Sequence, residues 1–305
     1  MGDLRMRIGS RSSRLSQAQT AIVTDLISRR MGGAVELEVV KVKTLGDRAP
    51  PASWGGKDGA KGAFTGDIET LLISGEIDVA IHSMKDLPSQ ETAGLVIGAT
   101  PPRSDPRDAL VTADGRSMEK LPKGAKVGTS SLRRKSQLLR MRPDLDILDL
   151  HGNVDTRIRK VASGKGSGLD AVVLAVAGLQ RLGEERRISQ TFSIEEMVPA
   201  VGQGIIAVQM REGDKDVEDV IRLINDEATA LESSCERAFA LRLGVDCNVP
   251  VGGCARASGS TMKMVGVVAK EDGSNLTRRA VAGRSGEAAA MGKALADDLL
   301  GRAAS

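Results

Sequence analysis

The chain has 305 residues, of which 41% are hydrophobic and 1% aromatic, and its 43 basic and 40 acidic residues leave a net charge of +3. This length predicts two or three domains, and the composition predicts aliphatic cores. Because the charges nearly balance, they give no global signature of nucleic-acid binding, and any anion site has to be local. No apolar run approaches the roughly 18 residues of a membrane helix, and the N-terminus has no apolar signal core. We therefore expect a cytoplasmic protein.

The first hundred residues alternate strands and helices, which predicts an α/β domain. A strand at 6–9 leads into a polar stretch at 10–13, and then Leu15, Ala18, Ile22 and Leu26 recur at helical spacing until the glycines at 32–33. Serine and arginine at such a helix start indicate either an anion site or simple N-capping by Ser12 or Ser13. Further along, strands are predicted at 35–39 and 77–81, a helix at 67–73, and a long loop at 44–62.

The stretch that follows the second of these strands is the strongest local signal. It reads His82-Ser83-Met84-Lys85-Asp86-Leu87-Pro88 and places polar side chains directly after an apolar run. In α/β sheets, ligands bind beyond the carboxyl ends of the strands. A carboxylate beside an ammonium at such a position indicates acid/base chemistry, and the alternative is a solvated Lys–Asp pair in a surface turn.

The middle of the chain repeats the first motif. A strand at 126–127 leads into Gly128-Thr129-Ser130-Ser131-Leu132-Arg133-Arg134, which opens a second helix. Strands at 146–150 and 171–176, with a helix from Val154 between them, predict a second α/β domain. The basic run 133–142 has no aromatic residues for base stacking, which argues against a nucleic-acid patch.

The last part of the chain predicts a small α+β domain with a helix at 226–243, a strand at 262–268 and a closing helix at 287–300. Cys235 falls on the apolar face of the first helix, which favours a place in the core. Cys247 lies in a loop rich in glycine, aspartate, asparagine and proline, where a thiol has no packing role and has no histidine nearby for metal binding. We interpret Cys247 as a covalent attachment point or a nucleophile. The chain has only three cysteines, a small and odd number that argues against a disulfide framework.

Cationic side chains follow apolar strands or open helices at seven positions, which are Arg11, Lys85, Arg103, Arg133, Arg134, Arg157 and Arg181. If they converge on one cleft, they suit a ligand with several carboxylates, because arginine binds carboxylate in a bidentate manner. Asp86 is the lone acid of the set. A carboxylate among cations usually stays ionised, and we expect it to hold a cationic N–H or a developing positive charge.

These motifs together resemble the porphobilinogen deaminase (hydroxymethylbilane synthase) family. The matching stretches occur in family order over nearly the whole chain, and they are Ile8-Gly9-Ser10-Arg11-Ser12-Ser13, 61–64, 82–88, 105–109, 128–134, 152–157, 199–204 and Cys247-Asn248-Val249-Pro250-Val251-Gly252. The resemblance implies two α/β domains like type II periplasmic binding proteins and a C-terminal α+β domain. The implied boundaries are 1–101 with 200–220, then 102–199, then 221–305.

The implied reaction joins four porphobilinogen molecules head to tail, with release of ammonia, into hydroxymethylbilane. A dipyrromethane primer is implied as a thioether on Cys247, and Asp86 is implied to stabilise a cationic azafulvene-like intermediate and to assist proton transfer. Catalytic roles are implied for Asp86, Lys85 and Arg11. Cofactor contacts are implied for Ser83, Lys85, Asp86, Thr129, Ser131, Arg133, Arg134, His151 and Arg157, and substrate contacts for Arg11, Ser13, Gln19, Phe64, Arg103 and Arg181. The loop 44–62 corresponds to a mobile cover, no metal is implied, and the family suggests a monomer.

Three positions depart from the family pattern. His151 stands in place of an arginine, and losing one charged hydrogen bond costs on the order of 1.5–3 kcal/mol, enough to slow the reaction roughly ten- to hundredfold. Arg14 replaces a common proline, and Gln209 replaces a common glutamate. The alternatives to a working enzyme are therefore a weakened paralogue and a binding protein for polycarboxylate tetrapyrrole precursors.

Overall fold

The computed structural model describes residues 4–44, 65–162, 168–244 and 250–301. The chain divides into two compact units, each built from two separate stretches of sequence. Unit 1 is Met1–Arg103 with Ile205–Ala230, and unit 2 is Ser104–Gly204 with Leu231–Ser305. The three domain boundaries implied by the resemblance stay a prediction, and the loop 44–62 falls almost entirely outside the described residues.

The described residues form thirteen strands, which are β1 (Leu4–Arg11), β2 (Val35–Val42), β3 (Val79–Ser83), β4 (Leu95–Ala99), β5 (Asp108–Thr112), β6 (Lys126–Gly128), β7 (Asp146–Leu148), β8 (Ala171–Ala175), β9 (Gln190–Thr191), β10 (Ile206–Arg211), β11 (Val251–Ser258), β12 (Thr261–Val268) and β13 (Thr277–Arg284). The same residues form eight α-helices, which are α1 (Arg14–Met31), α2 (Gly66–Ile73), α3 (Leu132–Met141), α4 (Val154–Ala162), α5 (Val176–Arg181), α6 (Lys215–Ile221), α7 (Glu227–Leu243) and α8 (Ala288–Leu299).

The first sheet lies in unit 1 and has the strand order β2-β1-β3-β10-β4. β1 is parallel to β2 and β3, whereas β10 is antiparallel to β3 and β4. Successive side chains of β3 point to opposite faces. Val79 and Ile81 pack in one apolar cluster with Val23 of α1, and Ala80 packs in another with Ile68 of α2. Helices therefore cover both faces, which explains why this strand reads as a continuous apolar run.

The second sheet lies in unit 2 and repeats this topology, with the order β7-β6-β8-β5-β9. β6 is parallel to β7 and β8, and β5 is antiparallel to β8 and β9. Its two faces again carry separate clusters, one with Leu138 of α3 and the other with Ile158 of α4. In each sheet, the strand that is antiparallel to its neighbours comes from a distant part of the chain. In the first sheet this strand is β10, the last in the sequence, and in the second sheet it is β5, the first in the sequence. The chain thus leaves the first sheet after β4 and returns to it as β10.

The third sheet is the antiparallel meander β11-β12-β13, also in unit 2. Its apolar face packs on α7 and α8 through a cluster that contains Phe239, Met264 and Leu295. Cys235 is fully buried in this cluster, with its Sγ 3.3 Å from Met264 Sδ, and burial raises the pKa of its thiol to about 12. The predicted core position of Cys235 is confirmed.

Some predicted details are wrong. The buried side of α1 carries Gln19, Thr20, Val23 and Ile27, whereas Ile22 of the predicted apolar series is exposed. The sequence also predicts a strand at 199–211 that contains a glycine turn at 202–204, but the observed strand begins only at Ile206. Strands β4, β5, β9, β11 and β13 were not predicted. β11 is rich in glycine and β13 is half-exposed and arginine-rich, so neither shows the alternation that marks a strand.

The predicted fold class is confirmed in its α/β and α+β character: two mixed five-stranded sheets are covered by helices, and a small antiparallel sheet with two helices forms the C-terminal part. The likeness to type II periplasmic binding proteins stays a prediction. In the parts of the chain that the structure describes, no helix has both the length and the apolar character needed to cross a membrane.

We predict that Gly292→Ala destabilises the C-terminal sheet and its helices. A Cβ atom at Gly292 would overlap the carbonyl oxygen of Cys235, so α8 would have to move away from α7. Such overpacking lowers the free energy of unfolding by about 1–3 kcal/mol, which urea denaturation measures. Gly286→Ala is the matched control, because a Cβ atom there meets nothing within 4 Å. Equal effects of the two substitutions would contradict the close helix contact.

Candidate functional site

The predicted reactive stretch lies where β3 ends in unit 1. A single 3₁₀ turn, Met84–Asp86, follows Ser83 directly. Met84 is buried and its backbone N–H donates to the carbonyl oxygen of Ile205 at 3.0 Å. Lys85 is half-buried, and Asp86 is exposed. The buried methionine thus fixes the turn, and the turn presents Lys85 and Asp86 at the carboxyl edge of the sheet, where α/β folds bind ligands.

Two polar side chains from the start of the chain lie at the same edge. Gln19 of α1 is buried and exchanges hydrogen bonds with the hydroxyl of Ser83, at 2.9 Å from Nε2 and 3.2 Å to Oε1. Arg11 ends β1, which is parallel to β3, so both strands end on this edge. Ser13 caps α1 by accepting from the backbone N–H of Ser16 at 3.3 Å. The capping role is confirmed for Ser13, and an anion site at this helix start stays a prediction.

A buried hydrogen-bond network lies behind this edge. His82 Nε2 is 3.0 Å from Gln209 Oε1, and Gln209 Nε2 donates to Glu69 Oε1 at 2.9 Å. The hydroxyl of Thr92 donates to the other oxygen of Glu69 at 3.0 Å. Burial lowers the pKa of His82 to about 4, against the opposite influence of Glu69, Gln209 and Asp86. The imidazole is therefore neutral across the physiological range.

In unit 2, the predicted residues Thr129, Ser131 and His151 come together where β6 and β7 end. The backbone N–H of Thr129 donates to Leu148 at 2.9 Å, and its hydroxyl accepts from the N–H of Ser131 at 3.2 Å. The hydroxyl of Ser130 donates to Leu150 at 2.6 Å and lies 3.4 Å from His151 Nδ1. His151 is exposed, so its ring is free to meet a ligand at this edge.

Arg133 and Arg134 are buried and are bound to a carboxylate that the sequence analysis gave no role. Arg133 Nη1 donates to Asp108 Oδ2 at 2.7 Å, and Arg134 Nη2 and Nε donate to Asp108 Oδ1 at 2.7 and 3.0 Å. Gln203 Nε2 adds a donor at 3.0 Å. Burial acts to raise the pKa of Asp108, but Arg133, Arg134 and Gln203 outweigh it and hold that pKa far below its usual range. Both guanidinium groups thus have a structural partner, and their role on a cofactor stays a prediction.

Arg181, at the end of α5, is also bound to protein, but not to a carboxylate. Its Nη2 donates to the carbonyl oxygen of Gly204 at 2.6 Å and to the hydroxyl of Ser104 at 3.2 Å. Its buried Nε has no acceptor within the described residues. Burial lowers the pKa of Arg181 to about 10. This cation therefore keeps an unused donor, which an anionic ligand could satisfy.

Two further predicted residues, Arg103 and Arg157, also make hydrogen bonds within the protein. The backbone N–H of Arg103 donates to the hydroxyl of Thr229 at 3.0 Å, and Arg157 Nε donates to the carbonyl oxygen of Gly152 at 2.8 Å. Phe64 and Cys247 lie outside the described residues. The convergence of the groups in both units on one cleft stays a prediction.

The chain after the Cys247 loop is docked closely in unit 2. The N–H of Gly253 donates to the carbonyl oxygen of Pro199 at 2.9 Å. A Cβ atom at Gly252 would lie 2.8 Å from the carbonyl oxygen of Val198, so only glycine fits this contact without displacement. The same Val198 oxygen accepts from Arg133 at 2.8 Å and from Gln137 at 3.1 Å. The buried arginine therefore fixes the segment on which the start of β11 rests.

Two comparisons identify relatives. A family model described as the dipyromethane cofactor binding domain of porphobilinogen deaminase matches residues 6–219, and one for the C-terminal domain of porphobilinogen deaminase matches residues 230–301. A porphobilinogen deaminase of Syntrophotalea carbinolica is 44% identical over 100% of this chain and 95% of its own length. One from Exiguobacterium sibiricum is 45% identical over 88% of this chain and 86% of its own, and one from Pelotomaculum thermopropionicum is 43% identical over 96% and 92%.

We predict that Asp108→Ala strongly destabilises unit 2. It would leave two buried guanidinium groups without their carboxylate, and breaking a buried ion pair in this way costs about 3–5 kcal/mol. Urea denaturation gives the change in the free energy of unfolding. Asp114→Ala is the control, because Asp114 pairs with Arg116 on the surface and such pairs contribute little. A small effect at Asp108 would show that the cluster is dispensable.

We also predict an acid sensitivity that comes from His82. The unfolded chain takes up a proton on this residue near pH 6.5, whereas the folded chain does so only near pH 4. Stability from this source is complete above pH 6.5 and is lost as the pH falls toward 4. The free energy of unfolding should fall by about 2 kcal/mol between pH 6.5 and 4.5.

The measurement is the difference between the unfolding free energies of the wild type and His82→Gln at each pH, since other groups cancel in that difference. A difference that does not change with pH would contradict the neutral state of the buried imidazole.

Proposed function

The chain belongs to the porphobilinogen deaminase family, and from that premise we propose how its residues divide the work. The family reaction is a transfer that joins four porphobilinogen molecules into hydroxymethylbilane with release of ammonia, in tetrapyrrole biosynthesis, and it uses a dipyrromethane cofactor. The observation that supports a division of roles is that one exposed carboxylate, Asp86, stands on a fixed turn at the carboxyl end of a buried strand.

Asp86 is the group proposed to act on the reacting pyrrole. When ammonia leaves porphobilinogen, positive charge develops on the pyrrole ring, and a nearby carboxylate stabilises it. Asp86 is exposed to an incoming ring, and Met84 buried beneath it keeps the turn from moving. A carboxylate held in place before the charge develops needs no reorganisation during the reaction. Asp86 also accepts a hydrogen bond from a pyrrole N–H.

Lys85 and Arg11 are proposed to bind carboxylates at the same edge, together with Ser83, Gln19 and Ser13. Porphobilinogen carries two carboxylates, so a growing chain accumulates negative charge. Arg11 offers a bidentate fork and Lys85 a point charge. Because Gln19 fixes the hydroxyl of Ser83, this side of the site is oriented before a ligand arrives. The residues of unit 2 proposed for the same purpose are Thr129, Ser131, His151 and Arg157. Arg103 of unit 1 and Arg181 of unit 2 are proposed for substrate contacts.

The residues of unit 2 fit a polycarboxylate pyrrole chain, which includes both the cofactor and the substrate units joined to it. The observation that supports this fit is the buried Nε of Arg181, which has no acceptor among the described residues. Nη2 of the same guanidinium donates to a carbonyl oxygen and to a hydroxyl oxygen. Cys247 is proposed to carry the dipyrromethane as a thioether. When bound, the dipyrromethane supplies the end to which the first porphobilinogen is joined. The docking of Gly252 and Gly253 on residues 198–199 would hold the root of that loop in place.

Arg133 and Arg134 are proposed to act mainly through position. Their bonds to Asp108 and to the carbonyl oxygens of Val198 and Val173 fix the strand β5 and the segment under β11. Contact of either guanidinium with a cofactor carboxylate stays a prediction. A monomeric state and a cytoplasmic location also stay predictions, and light scattering after size-exclusion chromatography measures the first.

We predict that Asp86→Asn lowers kcat by at least about a hundredfold, as the loss of a preorganised electrostatic group does, and changes KM much less. Steady-state kinetics with porphobilinogen measures both constants. Glu76→Gln is the matched control, because Glu76 is an exposed carboxylate near the other end of β3. Loss of activity in both variants, or in neither, would contradict the role of Asp86.

We predict that His151→Arg raises turnover roughly tenfold or more, because it adds a bidentate, charged hydrogen bond at the end of β7. His151→Lys adds the same charge without the planar fork and should give a smaller gain. Turnover that does not rise in the arginine variant would show that His151 does not limit this enzyme.

A further inference from the structure

The network behind β3 contains a histidine that the proposed reaction does not use. His82 precedes Ser83 in the strand and is almost fully buried, at 4% exposure. It is one of only two histidines in the chain. The next four residues, Ser83 to Asp86, lead to the exposed Asp86, so the hydrogen bonds of His82 bear directly on the backbone of the site.

The direction of each hydrogen bond in this network follows from Glu69. Thr92 donates to Glu69 Oε2 at 3.0 Å, and Gln209 Nε2 donates to Glu69 Oε1 at 2.9 Å. Because the amide of Gln209 turns its NH₂ toward the carboxylate, its oxygen faces His82. An amide oxygen only accepts, so His82 Nε2 must donate across the 3.0 Å contact.

We infer that Gln209 sets the tautomer of His82, holding the buried, neutral imidazole with its proton on Nε2. His82 is then a positioning residue that fixes the end of β3, and it takes no part in proton transfer. A carboxylate at position 209 would have the opposite effect, since it would favour the imidazolium.

The charges around His82 agree with this inference. Burial disfavours the imidazolium most, and Arg11 at the end of β1 also disfavours it. Glu69 on α2, Asp86 on the 3₁₀ turn and the hydrogen bond with Gln209 favour it, but they do not outweigh burial. On β10, which pairs with β3 over His82, the side chain in contact is the uncharged Gln209. Replacing that amide by a carboxylate would place a negative charge on β10 in direct contact with His82.

Nitrogen-15 NMR of the imidazole rings tests the inference, because protonated and unprotonated ring nitrogens have distinct shifts. The chain gives only two sets of signals, and His151→Gln identifies those of His151. We expect His82 to show a protonated Nε2 and an unprotonated Nδ1 that do not change between pH 5 and 8. A proton on Nδ1, a mixture of tautomers, or a titration in that range would overturn the inference.

Two variants test the role of the neighbours. Gln209→Glu should move the titration of His82 upward into the range of pH 5–8. Glu69→Gln should let the amide of Gln209 face either way, so that His82 populates both tautomers. If Gln209→Glu does not fold, Glu69→Gln provides the same test, and unchanged His82 signals in the folded variant would overturn the inference.

The positioning role rests on the proposed function and has its own readout. In Gln209→Glu, which restores the glutamate common in the family, kcat should show a step at the pH where the NMR signals of His82 shift, while the wild type shows no such step. A kcat that does not change when His82 becomes charged would overturn the positioning role. A wild type without deaminase activity would instead contradict the proposed function, and the NMR result would still stand.

Discussion

The buried carboxylate of Asp108 is the interaction on which the geometry of unit 2 depends. It opens the antiparallel strand β5 and accepts hydrogen bonds from Arg133, Arg134 and Gln203. Burying one carboxylate with two guanidinium groups is costly unless every donor and acceptor is paired. Here the remaining donors reach the carbonyl oxygens of Val198 and Val173. The cluster therefore fixes the helix α3, the strand β5 and the segment before β10 relative to one another.

This constraint extends to the start of β11, which follows Cys247 in the chain. The segment held by Arg133 accepts the N–H of Gly253 through Pro199, and Glu236 of α7 accepts from the N–H groups of Gly202 and Ala255 at 2.6 and 2.7 Å. The strand after Cys247 is thus bound at several points to a segment that is itself fixed by a buried ion cluster. Unit 1 has a similar arrangement, in which the side chains of Met84, Gln19 and His82 are buried and that of Asp86 is exposed. In both units, buried groups orient the residues that we propose to meet a ligand.

Much of the fold followed from sequence patterns, and the failures have physical causes. The buried strands β3 and β8 read as apolar runs, and serines and arginines after β1 and β6 marked the starts of α1 and α3. The strands β11 and β13 were missed because glycine and exposed arginine remove the alternation that a half-buried strand shows. The buried side of α1 was wrongly placed, because Gln19 and Thr20 point inward to hydrogen-bond while Ile22 points out. Periodicity counts apolar residues, and it cannot recognise a polar residue that is buried with a partner.

The site was predicted only in part for the same reason, because sequence patterns do not reveal buried polar residues and their partners. The positions of Ser83, Lys85 and Asp86 at a strand end followed from the sequence. The partners Asp108 and Gln203 did not, although an aspartate that opens an apolar strand is a signal of a buried ion pair. The links between His82, Gln209 and Glu69 join residues up to 140 positions apart, and no local pattern contains them.

The central claim is that Cys247 carries a dipyrromethane on which porphobilinogen is polymerised. Its most direct test is the intact mass of the protein purified from cells that supply porphobilinogen. We expect a mass excess equal to one dipyrromethane, which is lost in Cys247→Ser and kept in Cys254→Ser, because Cys254 is buried. An unmodified wild-type mass, or an excess that survives in Cys247→Ser, would contradict the account.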